Sequence, residues 1–439
     1  MPRYPAGPLH VLLNGRSVGE LGNSRTRRLE FRYAPSWLTW EQAFAISASL
    51  PLREEPHRGD AVDAVFDNLL PDDESVRQRI ATRTGTRDTD VLNLLRAIGR
   101  DCVGALQFLP ADEDPGDPGT IDARPVDDDE IASILEHLGS EPLGIDADAA
   151  FRISLAGAQE KTALLWHEDR WKLPRGTTAT THILKPPIGR RSDGIDLGDS
   201  VENEHFCLRV LAALDLPVAK TRVETFATTR ALVVERFDRQ WASDGRLLRR
   251  PQEDLCQACG IPPARKYEID GGPGFVEISR VLRASDRPAD DQRFFVEAVI
   301  ANWLLGATDV HAKNFSLALH PRGGFRLAPL YDVVSLQPLF DRGELRRNQV
   351  RFALAIGDRR HTILDKIAGR HFEQMERIAG LPDGLVRDVA RGLLRKSGRA
   401  LEVAREETST VVPEGSIRSI VGGYESRLEG LEAWLADPA

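Results

Sequence analysis

Within GATDVHAKNFS, residues 306–316, the side chains of Asp309, His311, Lys313 and Asn314 fall inside six consecutive positions, directly after the apolar run FFVEAVIANWLLGA. A carboxylate and a carboxamide five residues apart, at the mouth of a buried helix, suit a proton acceptor and an oxygen ligand for a hard cation such as magnesium. Phosphoryl transfer needs that pair, together with a phosphate cradle, a lysine and a second metal ligand.

The remaining parts can be read along the chain. Asp309 and Asn314 have the spacing of Asp and Asn in the kinase catalytic loop H-R-D-L-x-x-x-N. Downstream, FRLAPLYDVVS reads as a strand ending in Asp332, about twenty residues on, where a kinase keeps its main magnesium ligand. Val333-Val334 stand there in place of the usual Phe-Gly. Upstream, Lys185 lies near the end of the apolar strand THILKPP, a position that calls for an anionic partner. Nucleotide phosphates would serve, steadied by Glu202 or Glu204 of ENEHFCLRVLAAL, with Glu204 the better placed.

ISLAGAQEKTALL, residues 153–165, brings Ser154, Ala156, Gly157 and Ala158 between two strands, so that its backbone can approach phosphates closely. No glycine immediately precedes Lys161-Thr162, so this is not a Walker A loop. ALVVERFDR is a buried run ending in Glu235-Arg236-Phe237, whose backbone can read an adenine edge while Phe237 lines the pocket. Each motif alone also fits an ordinary turn or core strand. Their kinase-like order favours phosphoryl transfer.

These residues need elements to hold them. HVLLNGRSVGEL reads as two strands around Asn14-Gly15, a strong hairpin signal, and RRLEFRY as a third. ESVRQRIATRTG, capped by Asp72 or Asp73, and TDVLNLLRAIGR have helical spacing, and VGALQFLP closes this part as a strand. PADEDPGDPGTIDARPVDDDE is nearly devoid of apolar residues and reads as a linker or surface excursion. Beyond residue 150 come the strands KTALLWH, RWKLP, THILKPP and RALVVERF, and after about 252 the pattern turns helical. The expected class is α+β, with strands and helices segregated.

Composition sets outer limits. The 439 residues carry 58 Lys and Arg against 67 Asp and Glu, a net charge of -9, which makes a poor stand-alone nucleic-acid binder. With no charged leader ahead of an apolar core and no apolar run of membrane-spanning length, the expectation is a soluble cytoplasmic protein without a membrane partner. Cys256 and Cys259 form a lone CxxC without further ligands, and two helix-packed thiols are expected.

ISLAGAQEKTALL, THILKPP, VENE, VERFDR, PQED (251–254), GATDVHAKNFS and LAPLYDVVS together resemble the HipA family of serine/threonine-protein kinases, toxins of bacterial toxin–antitoxin pairs. FDNLLPD (66–72) and IGRDCVGAL (98–106) resemble that family's amino-terminal subdomain, so the likeness covers nearly the whole chain. It implies a protein-kinase-like fold: an N-terminal subdomain over 1–110, a linker and connecting helix over 111–150, an ATP-binding strand-rich lobe over 151–251 and a helical lobe over 252–439.

The resemblance further implies ATP and Mg2+ as cofactors, with Asp309 as catalytic base and Asn314 and Asp332 on the metal. His311, Ala312 and Lys313 would lie near the phosphates and Tyr331 near the nucleotide. Lys185 would hold phosphates, the cradle would run through Ala156, Gly157, Ala158, Gln159, Glu160 and Lys161, and Glu235, Arg236 and Phe237 would bind adenine. His311 follows the Asp rather than preceding it by two, an order more like phosphoinositide kinases. Ser154 would be autophosphorylated, adding about -1.5 to -2 charge beside the phosphate site.

Implied partners are a HipB-like helix-turn-helix antitoxin, operator DNA through that complex, and a protein substrate, an aminoacyl-tRNA synthetase, with glutamyl-tRNA synthetase the first guess. Arg387, Arg391, Arg395 and Arg399 recur every fourth residue of one helix, a stripe able to touch DNA phosphates. Two other readings remain: a small-molecule kinase, because the motifs describe only the ATP side, and a catalytically inert corepressor.

Overall fold

The computed structural model describes residues 7–144, 153–157, 159–191 and 194–437. The chain divides into two compact units. The first comprises Met1–Pro186, Glu224–Ala264 and Leu317–Phe325; the second comprises Pro187–Val223, Arg265–Ser316 and Arg326–Ala439.

The two largest sheets of the first unit are antiparallel. One has five strands in the order His57–Arg58, Leu29–Tyr33, Arg16–Asn23, Leu9–Leu13, Leu106–Pro110. Its hairpin turns at Asn14-Gly15, with Leu13 opposite Arg16 and both turn residues at positive φ (48° and 80°), as a type I′ turn requires. Alternate residues Leu9, Val11, Leu21 and Phe31 are fully buried, and Phe31 packs on Phe66 of the helix Asp60–Asp67. Asp73 rather than Asp72 caps the helix Glu74–Thr84, accepting from the amides of Ser75 and Val76.

The other sheet has six strands, in the order Thr221–Phe226, Thr229–Glu235, His182–Lys185, Thr162–His167, Arg170–Pro174, Ala123–Pro125. Its last strand lies within the acidic stretch read as a linker or surface excursion, a strand that reading does not include. Within the acidic stretch, Ala123–Pro125 pairs with Lys172–Pro174, and Asp127 caps the helix Asp128–Glu136. The edge strand's open backbone groups outweigh the segment's poor strand composition.

The second unit is mostly helical. Its axis is Pro288–Leu305, buried almost all round from Phe295 onward and packed against Phe275–Leu282, Leu385–Thr408 and Glu414–Ala436. Strands beside helices, with the sheets concentrated in the first unit, give the α+β class that the pattern implied. Among the described residues no helix is long and apolar enough to cross a membrane. The cysteines are not joined in disulfides, with Cys256 buried on the short helix Leu255–Ala258 and Cys259 at its end.

Candidate active site

In the second unit, the loop after helix Pro288–Leu305 begins with a left-handed C-cap. Gly306 has φ 67°, with Ala307 N–H donating to Asn302 O (2.9 Å). Arg427 Nε donates to Leu304 O at 2.9 Å and so closes the helix end, while its guanidinium fills the space a Cβ on Gly306 would need. The loop then docks through Ala353 N–H to Thr308 O (2.9 Å).

Asp309 comes next and is exposed, although Thr308, Val310 and His311 around it are buried. Its carboxylate is nonetheless held in place. Tyr267 Oη donates to Oδ1 at 2.9 Å, and His311 Nε2 lies 3.7 Å from Oδ2. Asn314 Nδ2 donates to the Asp309 carbonyl at 2.6 Å, which pins the loop and turns the amide oxygen away from that bond. Asp309 and Asn314 are thus together, as their spacing implied. Burial pushes the His311 imidazole below its ordinary value, against the opposing pull of Asp309. Its Nδ1 is buried and has no hydrogen-bond partner among the described residues.

Tyr331 supports the far end of this loop: its hydroxyl donates to Lys313 O at 2.7 Å and lies 2.6 Å from Ser316 Oγ. Asp332 does not end a strand. The strand stops at Leu327, because Pro329 has no N–H to continue a ladder. Asp332 instead has φ 59°, a left-handed conformation that costs a non-glycine residue about 1–2 kcal/mol and tends to occur at functional sites. The segment after it is tied down by Ser335, whose Oγ donates to Leu305 O (2.6 Å) and whose backbone makes a two-way bond with the Asn203 side chain.

Tyr267 and Asn203 are functional-site residues that the motif reading missed. Asn203 lies inside VENE, between the two glutamates considered there, and its packing role has no sequence signature of its own. Glu204 is buried on the same helix, Ser200–Ala213. Asn314 and Asp332 both offer oxygen on irregular backbone, the donor chemistry magnesium prefers. Among the described residues no cluster of three His, Cys, Asp or Glu side chains gathers around a point, so two protein oxygens and phosphate oxygens would have to complete such a site.

In the first unit, Lys185 is buried at the end of its strand, opposite Leu232, and Lys161 is buried just before the adjoining strand. Gly157 has φ 99°, and a Cβ there would lie 2.7 Å from Lys161 Nζ, so only glycine lets the lysine fold back over the loop. Gln159 donates to Pro186 O (3.3 Å), and Glu160 lies 3.7 Å from Arg79. Ala158 falls outside the described residues.

This cradle is clasped by the two N-terminal motifs. Ser154 Oγ donates to Leu69 O at 2.7 Å and Ser154 N–H to Asp101 O at 3.0 Å, while Asp72 N–H reaches Gly157 O at 3.3 Å. Ser154 is completely buried. The side chain of Asp101 anchors a buried ion cluster: Arg239 at 2.8 Å, Arg249 at 3.0 Å and Arg236 at 3.3 Å, with Asp238 bridging Arg236 and Arg239. The three guanidinium groups hold the Asp101 carboxyl well below the usual carboxylate range despite its burial. Arg236 is therefore a structural side chain. Its own N–H donates to Thr181 O at 2.9 Å.

The arginine stripe on Leu385–Thr408 is uneven. Arg387 is half-buried, bonded to Glu373 Oε1 at 2.6 Å and stacked over Trp434, whereas Arg391, Arg395 and Arg399 are exposed.

Residues 153–401 match the HipA-like C-terminal domain, and residues 9–109 match the HipA N-terminal domain. The protein Y4mE of Sinorhizobium fredii is 36% identical over 405 residues, covering 91% of this chain and 92% of that one. The serine/threonine-protein kinase toxin HipA of Shewanella oneidensis is 28% identical over 345 residues, 75% of each chain. The fold is that of Shewanella oneidensis HipA as solved with HipB and its operator DNA, at a TM-score of 0.79 and 23% identity, covering 98% of this chain and all of that one.

Proposed function

The chain belongs to the HipA family of serine/threonine kinase toxins, and on that premise we propose that it transfers the γ-phosphoryl group of ATP to a serine or threonine hydroxyl of a protein. The observation that carries this is Asp309: a carboxylate exposed to solvent on an otherwise buried loop, oriented by Tyr267 and by the Asn314–Asp309 bond. Asp309 orients the acceptor hydroxyl and takes its proton, as the acceptor oxygen bonds to the γ-phosphorus and the bond to the ADP oxygen breaks.

Asn314 and Asp332 would hold magnesium, which supplies charge neutralisation on the phosphates. Lys185 and Lys161 would bind phosphates, over a cradle of residues 156–161, and Glu204 would steady Lys185. The orphaned His311 Nδ1 is a buried group that a ligand would satisfy, and Lys313 would lie near the phosphates. Glu235 and Phe237 would meet adenine through their backbone. The subdomain boundaries near residues 110, 150 and 251 belong to the same reading.

The finer biology is also proposed. Ser154 would be the autophosphorylation site. With its hydroxyl fully buried against Leu69, a phosphate there is incompatible with the clasped loop, so modification would eject the cradle. The chain would act in the cytoplasm, be neutralised by a helix-turn-helix antitoxin and join it on operator DNA. Its substrate would be an aminoacyl-tRNA synthetase, glutamyl-tRNA synthetase first, so that translation stalls.

The test is intact mass after incubation with magnesium-ATP, beside Asp309→Ala, with peptide mapping. One added phosphate on Ser154, absent from the variant, supports the reading. Protein that starts unphosphorylated and stays inert favours a corepressor without kinase activity.

A further inference from the structure

A groove of about 470 Å3 lies beside Asp309 in the second unit, lined by Tyr267, Ile269, Thr308, Arg351, Phe352 and Ala353 among others. Its lining is mixed: Ile269 is 74% exposed and Ala353 half-buried, beside the polar side chains of Thr308, Arg351 and Thr362. Of the two arginines that line it, Arg360 is paired with Glu268 at 2.7 Å, and Glu268 in turn accepts from Ala355 N–H at 2.7 Å. Arg351 is different. It is exposed, donates only to the Thr362 hydroxyl at 2.9 Å, and has no carboxylate within ion-pair distance among the described residues. The carboxylates that line the groove, Asp309 and Glu268, lie beyond ion-pair distance of Arg351, and Glu268 is taken up by Arg360, which leaves the Arg351 guanidinium open to an incoming anion.

We infer that this groove receives the stretch of the acceptor protein that flanks the acceptor hydroxyl, and that Arg351 selects an acidic side chain within about three residues of it. The inference rests on the kinase reading, because Asp309 is what makes the groove an acceptor site. The register supports the distance. Ala353 N–H bonds Thr308 O, immediately before Asp309, and Arg351 stands two residues back along the strand Arg351–Ile356. At roughly 3.3 Å per residue that is about 7 Å, the span of two residues in an extended substrate. Ile269 gives the same substrate an apolar contact, and Arg351 sets it apart from substrates without the acidic group.

The experiment uses the full-length protein, magnesium-ATP and serine peptides in which each flanking position is varied among Glu, Gln and Lys. The wild type is expected to phosphorylate the best Glu peptide roughly fivefold faster than its Gln counterpart, the scale of one exposed ion pair. Arg351→Glu is expected to reverse the preference towards Lys, and Arg351→Lys to keep it. Because each preference is a ratio within one protein, a general loss of activity cancels, and the wild-type preference is readable even if a variant fails to fold. Wild-type phosphorylation indifferent to flanking charge, or an unchanged preference in folded Arg351→Glu, overturns the inference and leaves the kinase reading standing. So does self-phosphorylation with no peptide accepted. Absence of any phosphoryl transfer, to peptide or to itself, removes both.

Discussion

The hydroxyl of Tyr267 donates to Oδ1 of Asp309 at 2.9 Å across 42 residues of sequence, and the Tyr267 ring stands edge-on to His311 at 4.9 Å. A hydrogen bond to a charged carboxylate contributes about 1.5–3 kcal/mol, and here it fixes which oxygen faces an incoming hydroxyl. Tyr267→Phe keeps the ring contact and removes the bond. It is expected to lower kcat about tenfold or more while the KM for ATP changes little, read by steady-state phosphorylation of a peptide substrate.

Gly306→Ala places a Cβ 2.8 Å from the Arg427 guanidinium and forces a left-handed conformation on a non-glycine residue. A loss of about 1–2 kcal/mol is expected from the backbone alone. Thermal unfolding measures it, and the displaced Arg427, no longer held on Leu304 O, carries the disturbance to Asp309. Activity is therefore expected to fall further than stability.

Two buried acids in the first unit bound its stability from opposite sides of neutrality. Burial pushes Glu253 up to about 8, with Oε1 accepting from Ala48 N–H and Oε2 without a hydrogen-bond partner among the described residues. Because its folded value is raised, its stabilising contribution is complete below the unfolded value near 4.5 and is lost as pH rises through about 8. Asp101 is depressed by three arginines, so its contribution is present above the unfolded value of 3.8 and disappears in acid. Melting temperature against pH is expected to peak between these limits. Glu253→Gln is expected to flatten the alkaline side, and Asp101→Ala to cost roughly 3–5 kcal/mol by stranding the Arg249 guanidinium and leaving Arg236 and Arg239 to share Asp238.

The arginine helix separates two kinds of loss. Arg387→Ala removes the Glu373 bond and the Trp434 stack and is expected to lower the melting temperature. Arg391→Glu with Arg395→Glu is expected to leave folding intact, weaken retention on operator DNA in the presence of the antitoxin, and reduce the salt slope by about 2. Fluorescence anisotropy at several salt concentrations reads both quantities. An unchanged slope in the double variant would assign these arginines to ordinary solvated surface.

The parts of the site that were legible in the chain are those whose geometry is local. Asp309 and Asn314 are five residues apart and joined by one hydrogen bond, so their spacing carried their relationship. Lys185 and Gly157 were visible through residue type, a cation in an apolar strand and a small residue between strands. Tyr267 was not, because its bond to Asp309 depends on tertiary packing and leaves no periodicity. The expected strand through Asp332 failed at Pro329, a breaker within the quoted motif. The strand Ala123–Pro125 was invisible for another reason: its pairing depends on the open edge of Arg170–Pro174 rather than on its own residues. Arg236 was legible as part of a binding motif, yet its side chain is consumed by Asp101 and Asp238, a partnership that spans 135 residues in one case.

The clasp on residues 153–157 makes the N-terminal motifs part of a thermodynamic cycle. Leu69, Asp72 and Asp101 bond the loop only while it is packed, so any molecule whose affinity for that region differs between packed and released states must shift the balance between them. By reciprocity, nucleotide that favours the packed loop changes the affinity for that molecule by the same factor. If the loop holds nucleotide as proposed, a binder on the N-terminal surface around Leu69, Asp72 and Asp101 would set how much of the protein is competent to hold it.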